Sequence, residues 1–225
     1  MYVVLKMGME RADQYNGASY RPVLDLAWEG LLAMDLDEVA RNAVARRDGG
    51  RLVMTTYGRE CTVDLAARSI RVHGKEPMAT CRIIALHYLA SARDALPTGR
   101  WTTYRQLPGG HAYYEAFKRR TIDEVASLFG RRPENLYRVM KALGGEKLGF
   151  GDASIQVNVF PKLPVAVILW KGDSEVRPAA NVLFDETAPI HLPVEDLAEV
   201  GSNVLSQMFK ADRAVEDVVS NRNTV

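Results

Sequence analysis

The chain is poor in residues that bind metals or form disulfides. Its 225 residues include two cysteines, Cys61 and Cys81, and four histidines. Two thiols are too few for a disulfide framework, and they fall short of the four thiolates of structural zinc or iron–sulfur sites. Cys81 and His87 lie six positions apart on a predicted helix, about 240° around its axis, so they do not share a face. We therefore expect no metal site, no iron–sulfur cluster and a reducing, cytoplasmic compartment.

Long apolar runs and an excess of one charge are also absent. No stretch approaches the roughly 18 apolar residues of a membrane span, and Lys6 breaks the first apolar run, which is atypical of a secretory signal. The formal net charge is +1 and 47% of the residues are hydrophobic. This balance is typical of soluble globular proteins and provides no overall field for polyanions. The sequence therefore predicts a soluble protein without membrane contact and disfavours nucleic acid as a partner.

Familiar catalytic signatures are missing as well. No Gly-x-Ser-x-Gly motif occurs, and the glycine-rich residues 143–154 contain no Gly-Lys-Ser/Thr. This segment precedes a predicted strand, which disfavours a dinucleotide site. Its glycines are interpreted as a helix stop and a tight strand entry, with Asp152 hydrogen-bonded in the turn. A ligand contact from Asp152 stays open.

Local patterns predict helices and then a small sheet in the first part of the chain. Residues 1–50 form a predicted helical entry segment: a helix from about Ser19 with Pro22 in its first turn, and a second helix capped by Asp35 or Asp37 and ended by Gly49-Gly50. β-branched residues then alternate with polar ones, which predicts an antiparallel meander with turns near Gly58-Arg59 and Ala66-Ala67. The apolar spacing after residue 79 predicts a helix that packs on this meander.

A helix pair, a hairpin and a last helix are predicted in the remainder. Thr121 and Glu124 stand in capping-box register before a helix that Gly130 stops, and Pro133 marks the first position of the next helix. Residues 153–160 and 165–170 predict a hairpin with its turn at 161–164 and a second strand buried on both faces. Pro193 starts the last helix, and residues 210–225 are expected to be a frayed tail. The sequence thus predicts one α+β domain over residues 1–225, an antiparallel sheet with packed helices.

Residues 121–143 resemble a helix-turn-helix at Ala126, Gly130, Leu136 and Val139. Residues 117–147 carry eight basic residues against four acidic ones, a local excess that phosphate contacts need. Against this reading, Glu134 places an acid at the start of the second helix, where it would face phosphate. Two packed core helices are the preferred interpretation, and a DNA-binding regulator is an alternative.

Aromatic and glycine residues crowd around the segment PGGH, residues 108–111. The candidate ligand-binding residues here are Trp101, Tyr104, Gly109, Gly110 and His111. A flexible glycine loop can close on a flat apolar ligand while aromatic rings supply contact area, and His111 is a candidate for proton transfer. The alternative is an aromatic turn that seals an edge of the core.

A second candidate group lies in residues 170–196, where Trp170 precedes Asp173, Glu175 and Asp185. Carboxylates that converge on a cleft can perform acid/base chemistry or hold a hard cation. The same residues are also ordinary turn and capping residues. An enzyme that uses Asp173, Glu175 or Asp185 with His111 is therefore kept as a second hypothesis.

Taken in order, five motifs resemble the domain of unknown function 3786 family. They are LPGG (107–110), LGG followed by GD (143–152), FPKLPVAVILWKGDSE (160–175), NVLFD (181–185) and LPVEDL (192–197). The resemblance covers about residues 80–209 well and the N-terminal third loosely. It implies an occurrence in anaerobic bacteria and archaea and an accessory role near corrinoid-dependent metabolism. Some members carry a cysteine-rich iron–sulfur segment, which this chain lacks, and Val176-Arg177 stand where the family pattern has an aromatic.

The leading hypothesis is therefore an accessory domain, not an enzyme. It would bind a small molecule or cofactor, such as a corrinoid or another tetrapyrrole, and a metabolic protein could be a further partner. The expected pocket combines the PGGH loop, the turn at 149–152 and the stretch at 170–185.

Overall fold

The computed structural model describes residues 20–222, with side chains described up to residue 214. Two helices come first in this part of the chain. Helix α1 (Arg21–Leu32) has Pro22 in its first turn, as predicted, while the expected start at Ser19 lies outside the described residues. Helix α2 (Leu36–Ala43) is capped by Asp35, whose carboxylate accepts hydrogen bonds from the Asp37 and Glu38 backbone N–H groups at 2.9 and 3.3 Å.

The predicted end of the second helix at Gly49-Gly50 is wrong. Val44 adopts the left-handed conformation (φ 54°) and ends α2. Strand β1 (Arg46–Asp48) follows and pairs with residues 51–53, so the two glycines form a hairpin turn. Within the described residues, the entry segment is therefore helical only to Ala43.

The first sheet is the predicted meander with one additional strand. Its antiparallel order is β1, β2 (Arg51–Thr56), β3 (Arg59–Asp64) and β4 (Ser69–Val72). Alternate residues such as Leu52, Met54 and Cys61 are buried, because one face of the sheet covers the core and the other faces solvent. Helix α3 (Ala79–Ser91) and the first sheet belong to the same hydrophobic cluster.

A nearly continuous helical segment follows strand β5 (Trp101–Thr103). After a 3₁₀ turn (Tyr104–Gln106), helix α4 (Gly110–Phe117) passes through a π-helical turn (Lys118–Ile122) into α5 (Asp123–Phe129). The predicted capping box is wrong, because Thr121 is fully buried inside this segment instead of preceding it. The predicted flexible loop at His111 is also wrong, since His111 belongs to the first turn of α4.

Four strands after helix α6 (Asn135–Ala142) complete the second sheet. They are β6 (Glu146–Lys147), β7 (Ala153–Phe160), β8 (Leu163–Trp170) and β9 (Ala179–Asp185). With β5, their antiparallel order in the sheet is β5-β9-β8-β7-β6. Strand β8 is buried on both faces except at Trp170, as predicted. Leu163 and Pro164 already belong to β8, so the predicted turn is shorter than expected, and Pro133 lies two residues before α6 instead of inside it.

The long last helix closes the domain. A short α7 (Ala188–His191) leads to α8 (Val194–Arg222), which starts directly after Pro193 and continues past Lys210, where fraying is predicted. Its buried face contains Leu197, Val200, Val204 and Met208. One hydrophobic cluster joins both sheets with the helices, so the chain is an α+β domain with two antiparallel sheets. Within the described residues, no helix is long and apolar enough to cross a membrane.

Candidate functional site

The second sheet separates the carboxylates that the sequence analysis grouped together. Trp170 pairs with Ala179 at one end of the β8–β9 ladder, whereas Trp101 pairs with Asp185 at the other end of β9. Strand β9 has seven residues including these two ends, and a strand rises about 3.3 Å per residue, so the ends are roughly 20 Å apart. Asp185 and Trp101 therefore do not share a cleft with Trp170, Asp173 and Glu175.

Asp185 acts as a structural acceptor. Its buried carboxylate accepts hydrogen bonds from the N–H groups of Thr98 (3.0 Å), Gly99 (2.7 Å) and Thr187 (3.0 Å), and from the Thr187 hydroxyl (2.7 Å). Burial by itself raises the pKa of Asp185, but these hydrogen bonds outweigh burial and hold the pKa below its ordinary value. The carboxylate stays ionised and fixes the loop before β5 to the end of β9.

Asp173 and Glu175 lie together in a shallow, exposed cleft at the other end of the sheet, beside Arg131. Asp173 accepts hydrogen bonds from the backbone N–H groups of Glu175 and Val176 at 2.8 and 2.7 Å, which lower its pKa. Asp152 is nearby and accepts a hydrogen bond from the Lys171 N–H at 2.7 Å. The structure thus brings these acids into one region, but Asp173 and Asp152 are already used in turns.

The aromatic and glycine residues near PGGH mainly pack the core. Tyr104 is fully buried, stacks on Phe117 at 4.3 Å between ring centroids, and donates its hydroxyl to the Val194 carbonyl at 3.1 Å. A side chain at Gly110 would lie 1.9 Å from the Tyr104 carbonyl oxygen, which explains the glycine there. His111 is exposed on α4, and no hydrogen bond or ion pair joins it to another described residue.

The helix pair α5 and α6 is held against the sheet. Leu136 and Val139 of α6 are fully buried, and α6 packs on both α8 and β7. The exposed side of α6 carries Arg138 and Lys141, while Glu134 lies at its N-terminus. Packed core helices are therefore the arrangement observed, and the DNA-binding alternative receives no support from these contacts.

A different group of residues encloses a cavity of about 70 Å³, which we call the cysteine cavity. It lies between the first sheet, α3, the end of β7 and α8. The residues that determine its chemistry are Tyr57, Cys61, Cys81, Ile84, Val200 and Asn203. Its walls are mostly apolar, and three of its polar side chains, Tyr57, Asn203 and Cys81, are joined by hydrogen bonds.

A chain of hydrogen bonds joins three polar side chains of the cysteine cavity. The Tyr57 hydroxyl donates to Asn203 Oδ1 at 2.7 Å, and Asn203 Nδ2 donates to Cys81 Sγ. Burial raises the pKa of Tyr57 well above its ordinary value, and it raises the pKa of Cys61 to about 12. Burial also raises the pKa of Cys81, although the Asn203 hydrogen bond and the Lys210 charge oppose this effect. Both cysteines are thus neutral thiols near pH 7, which are weak nucleophiles and poor metal ligands.

The turn between β2 and β3 places Tyr57 in the cavity. Tyr57 and Gly58 both have positive φ, at 49° and 68°. The Tyr57 N–H donates to the Asn158 carbonyl at 2.9 Å, and a Cβ built on Gly58 would lie 3.0 Å from Gly144 Cα. The hairpin of the first sheet is therefore fixed to the second sheet by close backbone contacts.

The cysteine cavity was not predicted from the sequence, because its walls come from distant segments. Cys61 and Cys81 were considered only for disulfides and metal sites, and none of the candidate ligand-binding residues lies here. One sequence signal was available: Asn203 interrupts the buried apolar face of α8, and a buried amide needs polar partners.

The comparisons with known proteins give a family and nothing more specific. Residues 35–207 match the family model described as "Domain of unknown function (DUF3786)". No curated protein and no solved structure matches the chain significantly.

Proposed function

Since the chain belongs to the family of domain of unknown function 3786, whose name gives no activity, we propose a function from its geometry: it binds a small molecule in the cysteine cavity. The observation that carries this proposal is the combination of mostly apolar walls with a few hydrogen-bonded polar side chains, which is the usual composition of ligand pockets. The proposal keeps the ligand-binding hypothesis from the sequence and moves the site to different residues.

The size of the cavity limits the ligand. An apolar cavity of roughly 150 Å³ takes benzene, so the 70 Å³ found here suits a group of roughly three or four carbon atoms. A corrinoid or another tetrapyrrole is far larger. The geometry therefore favours a small metabolite over the cofactor class that the resemblance implies.

An accessory role is proposed in preference to catalysis. The tyrosine and both thiols of the cavity are neutral, and the described lining contains no carboxylate or histidine that could serve as a general base. The alternative enzyme hypothesis needs Asp173, Glu175 or Asp185 to meet His111 in one cleft. Strand β9 separates Asp185 from Asp173 and Glu175, and no hydrogen bond or ion pair joins His111 to another described residue.

Filling the cavity tests the proposal. Ala85 is buried on α3 and lines the cavity, so Ala85→Leu places three additional carbon atoms inside it. Ala90 lies on the same helix, about 140° away around the axis, and Ala90→Leu is the matched control. We expect Ala85→Leu to weaken butyramide binding at least ten-fold, measured by amide chemical-shift titration, while Ala90→Leu leaves it unchanged.

The amide signals of Tyr57, Cys61 and Cys81 should shift in the unmodified protein and saturate. Binding that is equal in both variants, or signals that shift only in the Gly172–Pro178 cleft, would show that the cavity is not the site. Circular dichroism of both variants checks that the fold is retained.

A further inference from the structure

The cysteine cavity has a deep end and a mouth. Cys61, Ile84 and Val200 are almost completely buried, which places them at the deep end. Cys81 and Gln207 are half-buried and Arg59 is exposed, so the cavity opens beside these residues. The polar chain from Tyr57 through Asn203 to Cys81 leads from the interior toward this mouth.

Positive charge dominates the mouth. Arg59 lines the cavity on the same strand face as Cys61, because residues i and i+2 of a strand point to one side. Its guanidinium donates one hydrogen bond to the Ala142 carbonyl at 3.2 Å. Within the described residues, no carboxylate lies within ion-pair distance of Arg59, so most of its donors have no protein partner.

A second cation extends the same side of the mouth. Lys210 follows Asn203 by seven residues on α8, which brings it back to within about 20° of the same face. Its charge reaches Cys81, where it acts to lower the thiol pKa against the larger effect of burial. The acids nearby in sequence point elsewhere or are paired: Glu60 alternates to the other face of β3, and Glu76 forms an ion pair with Arg82. Asp212 lies two residues after Lys210 on α8, about 160° away around the helix axis.

The deep end excludes charge. Its described lining is neutral and apolar, and moving an ion into such an environment without a partner is strongly unfavourable. A ligand with an anionic group must therefore keep that group at the mouth, while an apolar tail of roughly three or four carbons enters the cavity.

We infer that the ligand of the cysteine cavity is a short-chain monocarboxylate, with its tail between Cys61 and Val200 and its carboxylate on the Arg59 guanidinium. This inference rests on the proposed function and adds the chemical class of the ligand. Arg59 is suited to the task because its planar donors match both oxygens of a carboxylate. Lys210 adds attraction that salt will screen.

Butyrate and butyramide have the same shape and differ in charge. Binding of either ligand tests the proposed function, and a preference for butyrate tests the carboxylate inference. We expect butyrate to bind the full chain at least ten-fold more tightly than butyramide at pH 7, since hydrogen bonds to charged groups are the stronger class. Butyrate binding should weaken when sodium chloride is raised, and butyramide binding should not. Amide shift titration measures both ligands on the same residues.

Substitutions at two arginines complete the test. Arg59→Gln should remove the preference for butyrate and leave butyramide binding in place, while Arg59→Lys should retain part of the preference. Arg71→Gln is the matched control: Arg71 is exposed on the outer face of β4 and also donates to a backbone carbonyl, that of Gly74 at 3.2 Å.

Each outcome decides a different statement. Equal binding of the two ligands, or an equal loss from Arg59→Gln and Arg71→Gln, would overturn the carboxylate inference and leave the cavity as a site for neutral molecules. Failure of both ligands to bind the unmodified chain would remove the inference together with the proposed function.

Discussion

Asp185 is fully buried, and its carboxylate accepts hydrogen bonds from the backbone N–H groups of Thr98, Gly99 and Thr187 and from the Thr187 hydroxyl. Replacing it with asparagine keeps the shape but removes the charge and turns an acceptor into a donor that faces Thr98, Gly99 or Thr187. Because hydrogen bonds to charged groups are worth about 1.5–3 kcal/mol, we expect Asp185→Asn to lower the free energy of unfolding by about 2–3 kcal/mol at pH 7. Urea denaturation measures the loss.

The same side chain predicts a pH dependence. The folded-state pKa of Asp185 is lower than its ordinary value of 3.8, so its contribution is complete above that value. It is lost as the pH falls through the lower folded-state pKa. The difference in stability between the unmodified chain and Asp185→Asn should therefore shrink as the pH falls below 3.8. Asp173→Asn, an exposed turn aspartate with the same kind of backbone acceptor role, is the control, and a loss as large as that of Asp185→Asn would contradict the argument.

At the scale of elements, the contact between the β2–β3 turn and the end of α6 joins the two sheets. Gly144 has φ +60°, and a Cβ there would lie 2.9 Å from Gly58 Cα. Gly144→Ala should therefore combine backbone strain with a clash against backbone that cannot move without shifting the turn. Since strained backbone positions are worth about 1–3 kcal/mol, we expect Gly144→Ala to destabilise the fold by roughly 2–4 kcal/mol in total.

Gly49 separates the two effects. It has a similar φ of +58°, but a Cβ there meets nothing within 4 Å. Gly49→Ala thus measures the backbone strain alone, and thermal unfolding of both variants should show the larger loss for Gly144→Ala. Similar losses would mean that the turn adapts easily and that this contact does not position Tyr57.

Elements whose signals are local were predictable from the sequence. The meander, α3 and the β7–β8 hairpin follow from alternation and helical spacing within each segment. The errors at Gly49-Gly50 and Thr121 have a different origin. In both places the local signal was genuine, but pairing of β1 with β2 and burial of Thr121 in a continuous helical segment overrode it.

At the scale of the whole molecule, the cysteine cavity depends on contacts that no local pattern encodes. Its walls join the β2–β3 turn, α3 and α8, and more than a hundred residues separate Tyr57 from its partner Asn203. Asp185 does not form one site with Asp173 and Glu175 for a similar reason. These residues are close in sequence, but the length of β9 separates them in space. The sequence could therefore indicate which residue types are able to bind a ligand, whereas only the fold shows which of them lie together.

The two thiols report on the opening of the whole fold, because both line one cavity but differ in exposure. Cys81 is half-buried with a raised pKa, so we expect slow alkylation by iodoacetamide at pH 7 that accelerates as the pH approaches and passes 9.0, the ordinary thiol value. Cys61 is buried with a pKa of about 12, so it should react only when the molecule unfolds. Mass spectrometry of Cys61→Ala and Cys81→Ala variants follows each thiol separately.

The dependence on denaturant distinguishes the two routes. Labelling of Cys61 should rise with urea along the slope of global unfolding, since the reaction then tracks the unfolded population. Labelling of Cys81 should show a much weaker dependence, and saturating butyrate should slow it by occupying the mouth. Rapid labelling of Cys61 in native buffer, at a rate comparable to Cys81, would contradict the high pKa of this thiol and its place at the buried end of the cavity.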